Sequence, residues 1–164
     1  MNQIESKIDF SDRHTYVGAS EIAAVLGMNP YRTPLDVYLE KTGETTPPDL
    51  TDNQAVHFGN VLEEVVADEF TRRTSLEVRR DNRNFSLESS GVPLRGHIDR
   101  KLTGQKVGLE CKTANIRIAK SFGESGTDDV PMHYLLQCIG YLALTGWEKW
   151  HLAVLIGGND FRNY

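Results

Sequence analysis

Three residues in the second half of the chain stand at a spacing that can do phosphoryl chemistry. Asp99 lies in RGHIDRKL, and Glu110 and Lys112 lie in GLECKTA. Hydrolysing a phosphodiester requires a water made nucleophilic near neutral pH and positive charge against the developing oxyanion. A hard divalent cation held by a few carboxylates supplies both. A tight turn centred on Gly104-Gln105 would set residue 99 directly opposite residue 110. Facing Cβ atoms are then about 5 Å apart, so both carboxylates can grip one ion. Strand alternation puts Glu110 and Lys112 on one face and Leu109 and Cys111 on the other, which brings an ammonium beside the two carboxylates. The same spacing also fits an Asp–Lys ion pair across an exposed sheet, and on spacing alone both readings stay open.

Three other places add candidate groups. In QAVHFGNVLEEVVADEFTRR, Val56, Gly59, Glu63, Val66 and Phe70 recur at helical steps. Glu63 therefore falls in the apolar stripe, while Glu64 and Asp68 point toward solvent. A carboxylate on a buried face needs a partner, which a metal or a lysine would provide; at the stripe's edge it would reach water instead. In the later helix Tyr134, Gln137 and Tyr141 share a face. That glutamine can serve a water or phosphate, or simply belong to a half-buried polar seam. Near the start, Arg13 precedes Gly18-Ala19-Ser20, and Ser20 is placed to cap a helix whose N–H groups favour an anion. Arg13 and Ser20 are thus a candidate phosphate pair.

The elements that must position these groups follow from period and punctuation. Ser20 to Leu26 is expected to be helical and to stop at Gly27. Thr33-Pro34 starts a second helix that stops at Gly43, and the Pro47-Pro48 stretch precludes a helix after it. A longer helix is expected over about Gln54 to Thr74. The period then changes: LEVRR, NFSLES, VPLRGHIDRKL and KVGLECKTA read as short antiparallel strands, divided by Asp-Asn, Ser-Gly and Thr-Gly turns. From about Pro131 to Thr145 the helical period returns and ends at Gly146, and KWHLAVLIGG reads as a buried strand. The expectation is an α+β or mixed α/β fold, a sheet with helices packed on it.

Bulk properties narrow the function classes. The 164 residues, 39% hydrophobic and 25% charged, suit one ordinary core, so one domain over 1–164 is expected. A net charge of −5 argues against coating nucleic acid by bulk electrostatics and leaves local clusters such as Arg72, Arg73, Arg79, Arg80 and Arg83. Cys111 and Cys138 are too few for a disulfide framework or zinc cluster and are expected as buried thiols. No apolar stretch approaches the roughly 20 residues of a membrane span, and MNQIESKIDF lacks a signal-peptide core, so a cytoplasmic location is expected.

Taken together, YVGASEIAAVLGMNPYRTPLDVYLEKTG, FGNVLEEVVADEF, RGHIDRKL, GLECKTA and YLLQCIGYLALTG resemble the YqaJ viral recombinase family. These are phage-type alkaline exonucleases within the PD-(D/E)XK nucleases, and the resemblance runs from about Arg13 to the C-terminal end. It implies a restriction-endonuclease-like core, a central mixed sheet flanked by helices. It also implies Mg²⁺-dependent 5′-to-3′ digestion of double-stranded DNA ends for single-strand-annealing recombination. By the same resemblance Asp99, Glu110, the Cys111 backbone carbonyl and Glu63 would hold Mg²⁺, or Mn²⁺. Lys112 would act on the attacking water, Gln137 would match the family's helical glutamine, and Arg13 and Ser20 would hold the 5′-phosphate. The implied partners are DNA, a single-strand annealing protein and, as a candidate assembly, a homotrimer. Family members usually continue into further helices past the point where this sequence ends at Tyr164. Two other readings fit the same residues: a non-catalytic DNA-binding or phage interaction module on a nuclease scaffold, and a structure-specific endonuclease.

Overall fold

The apolar faces of two long helices dictate the layers. The computed structural model describes residues 12–89 and 91–164. Its helices are α1 (Ile22–Val25), α2 (Pro34–Lys41), α3 (Gln54–Thr74) and α4 (Met132–Thr145). Asn53 caps α3 by accepting the Ala55 and Val56 N–H groups at 2.9 and 3.2 Å. α3 buries Val66, Ala67 and Phe70 on one face of the sheet, against Leu102, Leu109, Cys111, Ala153 and Phe161. α4 buries Cys138, Tyr141 and Leu144 on the other, against Ile98, Leu152, Val154 and Ile156. Gly140 permits α4 to close on α1, since a Cβ there would meet Ile22 Cδ1 at 2.3 Å. Among the described residues no helix is long and apolar enough to cross a membrane.

Between the helices lies one mixed sheet. Its strands are β1 (Val17–Gly18), β2 (Val78–Ser89), β3 (Val92–Leu102), β4 (Val107–Ala114), β5 (Lys149–Ile156) and β6 (Asp160–Asn163). β5 runs parallel to β4, which requires a crossover, and α4 supplies it. β2 lines one edge of β3, so β1 and β4 must share the other: β1 pairs at Leu94 and Arg95, β4 at Arg100 and Lys101. The stretch between, Gly96 to Asp99, is where β3 exchanges one neighbour for the other.

Helices α2, α3 and α4 and the mixed α/β class are as the sequence implies, and both cysteines are buried free thiols. Three details differ. LEVRR and NFSLES are one strand, β2, because the Asp81-Asn82 signal marks an irregularity in the ladder rather than a turn. The expected helix from Ser20 is shorter: a 3-10 turn, Ala19–Glu21, leads into α1, and Ser20 sits exposed within it instead of capping a helix. Glu21 takes over that end of the turn by folding back to accept the Gly18 N–H at 2.8 Å. Strands β1 and β6 are too short to carry a period of their own and were not foreseen.

Candidate active site

A one-residue bulge builds the site. Along β2 and β3 the pairing passes from Arg80↔Arg100 to Asp81↔Ile98, so Asp99 is an extra residue in β3. Without the bulge, alternation would set Ile98 and Arg100 on one face. With it, Ile98 packs into the α4 side, while Arg100 turns to α3 and binds Glu63 and Glu64. The β3–β4 ladder holds Arg100↔Leu109 and Lys101↔Gly108, with Gly104 in the left-handed conformation at the turn. Continuing that register sets Asp99 beside Glu110, as the spacing implies. There the Asp99 carboxylate reaches into the strand gap and accepts the Cys111 N–H at 3.0 Å.

Glu110 is 1% exposed. Its Oε1 accepts the Gln137 amide at 2.6 Å and the Lys112 ammonium, and its Oε2 is buried with no hydrogen-bond partner. Burial, reinforced by Asp99, pushes the Glu110 carboxyl up to about 8 against the opposing pull of Lys112. Burial by itself would lower the Lys112 pKa, but Glu110 and Asp99 more than offset it and hold the ammonium charged. Gln137 has its second donor contact with the Tyr141 hydroxyl at 3.0 Å, so its amide is aimed from both sides. Tyr134 shares the face but stacks on Phe122, with centroids 5.8 Å apart.

The structure therefore brings Asp99, Glu110, Lys112 and Gln137 together. Glu63 is not gathered with them: its side chain, 26% exposed at the edge of the stripe, meets the buried Arg100. Among the described residues no set of three or more His, Cys, Asp or Glu side chains converges to hold a metal. The two-carboxylate pair nevertheless fits a hard cation, because the unpartnered Glu110 Oε2 lies in a carboxylate site with one ammonium as local compensation. Arg100 escaped sequence reasoning, since nothing local says that an arginine after Asp99 is buried. The consecutive Glu63-Glu64 on a helix was the available signal.

Arg13 and Ser20 lie in the turns that precede and follow β1. Arg13 starts a 3-10 turn, Arg13–Thr15, and its guanidinium stands 3.6 Å from Glu21 Oε1. His97, two residues before Asp99, has its pKa lowered by burial and then by the Arg13 charge. Glu21 itself, not singled out in the sequence, is a buried hub. Arg32 Nη1 at 3.0 Å and Lys41 Nζ at 2.7 Å both bind it.

Known proteins share this architecture. The alkaline exonuclease from Laribacter hongkongensis superposes with a TM-score of 0.67 at 17% identity, covering 94% of this chain and 78% of that one. A second structure of the same exonuclease, in complex with dAMP, gives 0.66 at 18% identity over the same shares of the two chains. A phage-related exonuclease from Haemophilus somnus 129PT gives 0.61 at 16% identity, covering 86% of this chain and 68% of that one. The fold is thus the restriction-endonuclease-like one of the alkaline exonucleases. In sequence, the uncharacterized protein YqaJ of Bacillus subtilis (strain 168) is 35% identical over 152 residues, which is 92% of this chain and 46% of that protein. The chain therefore spans about half the length of this relative. Residues 10–148 match the YqaJ-like viral recombinase domain, and the chain belongs to that family.

Proposed function

We infer that the chain is a metal-dependent deoxyribonuclease acting on double-stranded DNA ends. The observation that carries this reading is the buried Glu110, paired through Oε1 with Lys112 and left with Oε2 unpartnered, on the strand whose Cys111 N–H binds the Asp99 carboxylate. Asp99 and Glu110, with the Cys111 carbonyl, would hold Mg²⁺, or Mn²⁺ on the same oxygen set; the ion would polarise the phosphoryl group and lower the pKa of the attacking water. Glu63 is the candidate third carboxylate and would have to share Arg100 to serve. Gln137 keeps Glu110 Oε1 in place, leaving the other oxygen for the site. Lys112, held charged by the two carboxylates, orients the attacking water and faces the charge that develops on the phosphoryl oxygens. Arg13 is the candidate for a terminal 5′-phosphate, as a bidentate donor. Ser20, exposed on the neighbouring turn, is the candidate second contact.

The 5′-to-3′ polarity, an annealing partner and a homotrimer are proposals that rest on the family resemblance, and a cytoplasmic location is a proposal that rests on the sequence reading alone. The test is digestion of linear duplex DNA, 5′-phosphorylated or 5′-hydroxyl, in Mg²⁺ or EDTA, beside Lys112→Ala. The expected result is Mg²⁺-dependent release of nucleotides, faster from the 5′-phosphate and abolished by Lys112→Ala while DNA binding persists. A folded wild type that binds DNA without turnover would overturn the enzymatic reading in favour of a binding module. Cleavage of circular or branched DNA would point to the endonuclease.

A further inference from the structure

A series of aromatic rings that the phosphoryl chemistry does not use connects α4 with the turn before α2. Tyr31, 75% exposed, meets His133 edge-on with ring centroids 6.0 Å apart and planes at 85°. His133 in turn lies 4.1 Å from Tyr134, and Tyr134 stacks on the buried Phe122 at 5.8 Å. A continuous series of rings thus runs from core to surface. It begins beside the carboxylate–lysine pair: Tyr134 precedes Gln137 by three residues on the same face of α4, and Gln137 donates to Glu110 at 2.6 Å.

Tyr31 is exposed but not loosely held. Its N–H donates to Asn29 Oδ1 at 2.8 Å, closing a tight turn. The next residue, Arg32, bridges Glu21 and Glu40, and Thr33 caps α2 by accepting the Asp36 N–H at 3.2 Å. The backbone on both sides of the ring is therefore fixed before any ligand arrives. An aromatic face exposed to this degree is costly to hydrate, and at a nuclease site each nucleotide brings a flat π-surface that would cover it.

We propose that Tyr31, backed by His133, is a stacking platform that seats the base of a nucleotide flanking the scissile phosphate. This rests on the nuclease reading above and adds to it a contact to the base instead of to phosphate. Such stacking tolerates any sequence, because every base has a π-face. Tyr31 would act on substrate affinity, since it lies outside the carboxylate–lysine group.

The test combines a base deletion with a ring deletion. Tyr31→Ala should raise KM for linear duplex roughly ten-fold with kcat nearly unchanged, and Tyr31→Phe should restore it, because the ring and not the hydroxyl stacks. Duplexes carrying one abasic residue at successive positions from the end should show a single position where the Tyr31→Ala penalty disappears. A penalty that persists at every abasic position, or Tyr31→Phe as impaired as Tyr31→Ala, would overturn the platform. Binding of a 2-aminopurine-labelled duplex in EDTA separates this idea from the reading beneath it. Quenching in wild type that is lost in Tyr31→Ala supports stacking even if the chain cleaves nothing, and unquenched binding rules it out even if the chain cleaves well.

Discussion

Glu21 and Glu110 are both glutamates buried almost completely, at 3% and 1% exposure, and their environments are opposite. Glu21 sits in the N-terminal region with both oxygens engaged, by Arg32, Lys41 and the Gly18 N–H, and with Arg13 beside it. Burial alone would raise its pKa, but the Lys41 hydrogen bond, the Gly18 N–H and the nearby cations win, and the carboxyl is held below its ordinary value. Glu110 sits at the centre of the sheet with one oxygen engaged and one orphaned, and its carboxyl is pushed up to about 8. Equal burial therefore means different things. A saturated carboxylate ties elements together, whereas one left short of partners, beside a second carboxylate, holds capacity for a cation from outside.

The contrast can be broken most forcefully at Glu110. Glu110→Gln preserves the shape and the Gln137 contact region but removes the charge, and cleavage of linear duplex should fall about a thousand-fold or more. Metal-free stability should change little, within about 1 kcal/mol, because relief of the buried charge offsets the ion pair lost by Lys112. Parallel nuclease assays and urea melts check both halves. A large loss of stability would mean that Glu110 is a structural residue like Glu21.

Glu21→Gln should do the reverse. Removing the shared anion strands Arg32 and Lys41 in a partly buried setting, and the fold should lose about 3 kcal/mol in the same urea melts. Per enzyme molecule that remains folded, turnover should be far less affected than in Glu110→Gln. A smaller effect comes from Asp81, at the irregularity of β2. The Arg83 hydrogen bonds hold its carboxyl down to about 2 despite burial, and Lys101 adds to them. Its folded pKa is depressed, so the stabilisation is present above the unfolded value of 3.8 and is lost as pH falls from there toward 2. Because Arg83 is more than half exposed, the contribution is discounted to about 1 kcal/mol. Asp81→Asn should lower stability by that amount at pH 6 and converge with wild type near pH 2, as acid titration of the unfolding midpoint would register.

Much of the site was legible before any coordinates. Period-2 alternation and the Gly104 turn placed Glu110 and Lys112 on one face with Asp99 beside them, and helical period put Gln137 on one face of α4 with Tyr134 and Tyr141. The same arguments misplaced Ser20, because the residue that organises its turn is Glu21, and Glu21 is drawn inward by cations from α2 and the loop before it. Glu63 was read as either needing a metal or a lysine or reaching water at the stripe's edge, and it does stand at that edge, 26% exposed. Its partner is an arginine on a strand distant in sequence, which no helical periodicity could name.

What the sequence determined by itself is whatever depends on neighbours along the chain: the three longest helices, the face each strand residue takes, the turn between β3 and β4, and the family its motifs resemble. Tertiary structure alone decided the bulge at Asp99, the exchange of β1 for β4 along β3, and which glutamate is saturated. Those depend on how separate strands run out of register and on which charges meet once water is excluded. Such terms come from elements far apart in sequence, and no local pattern encodes them.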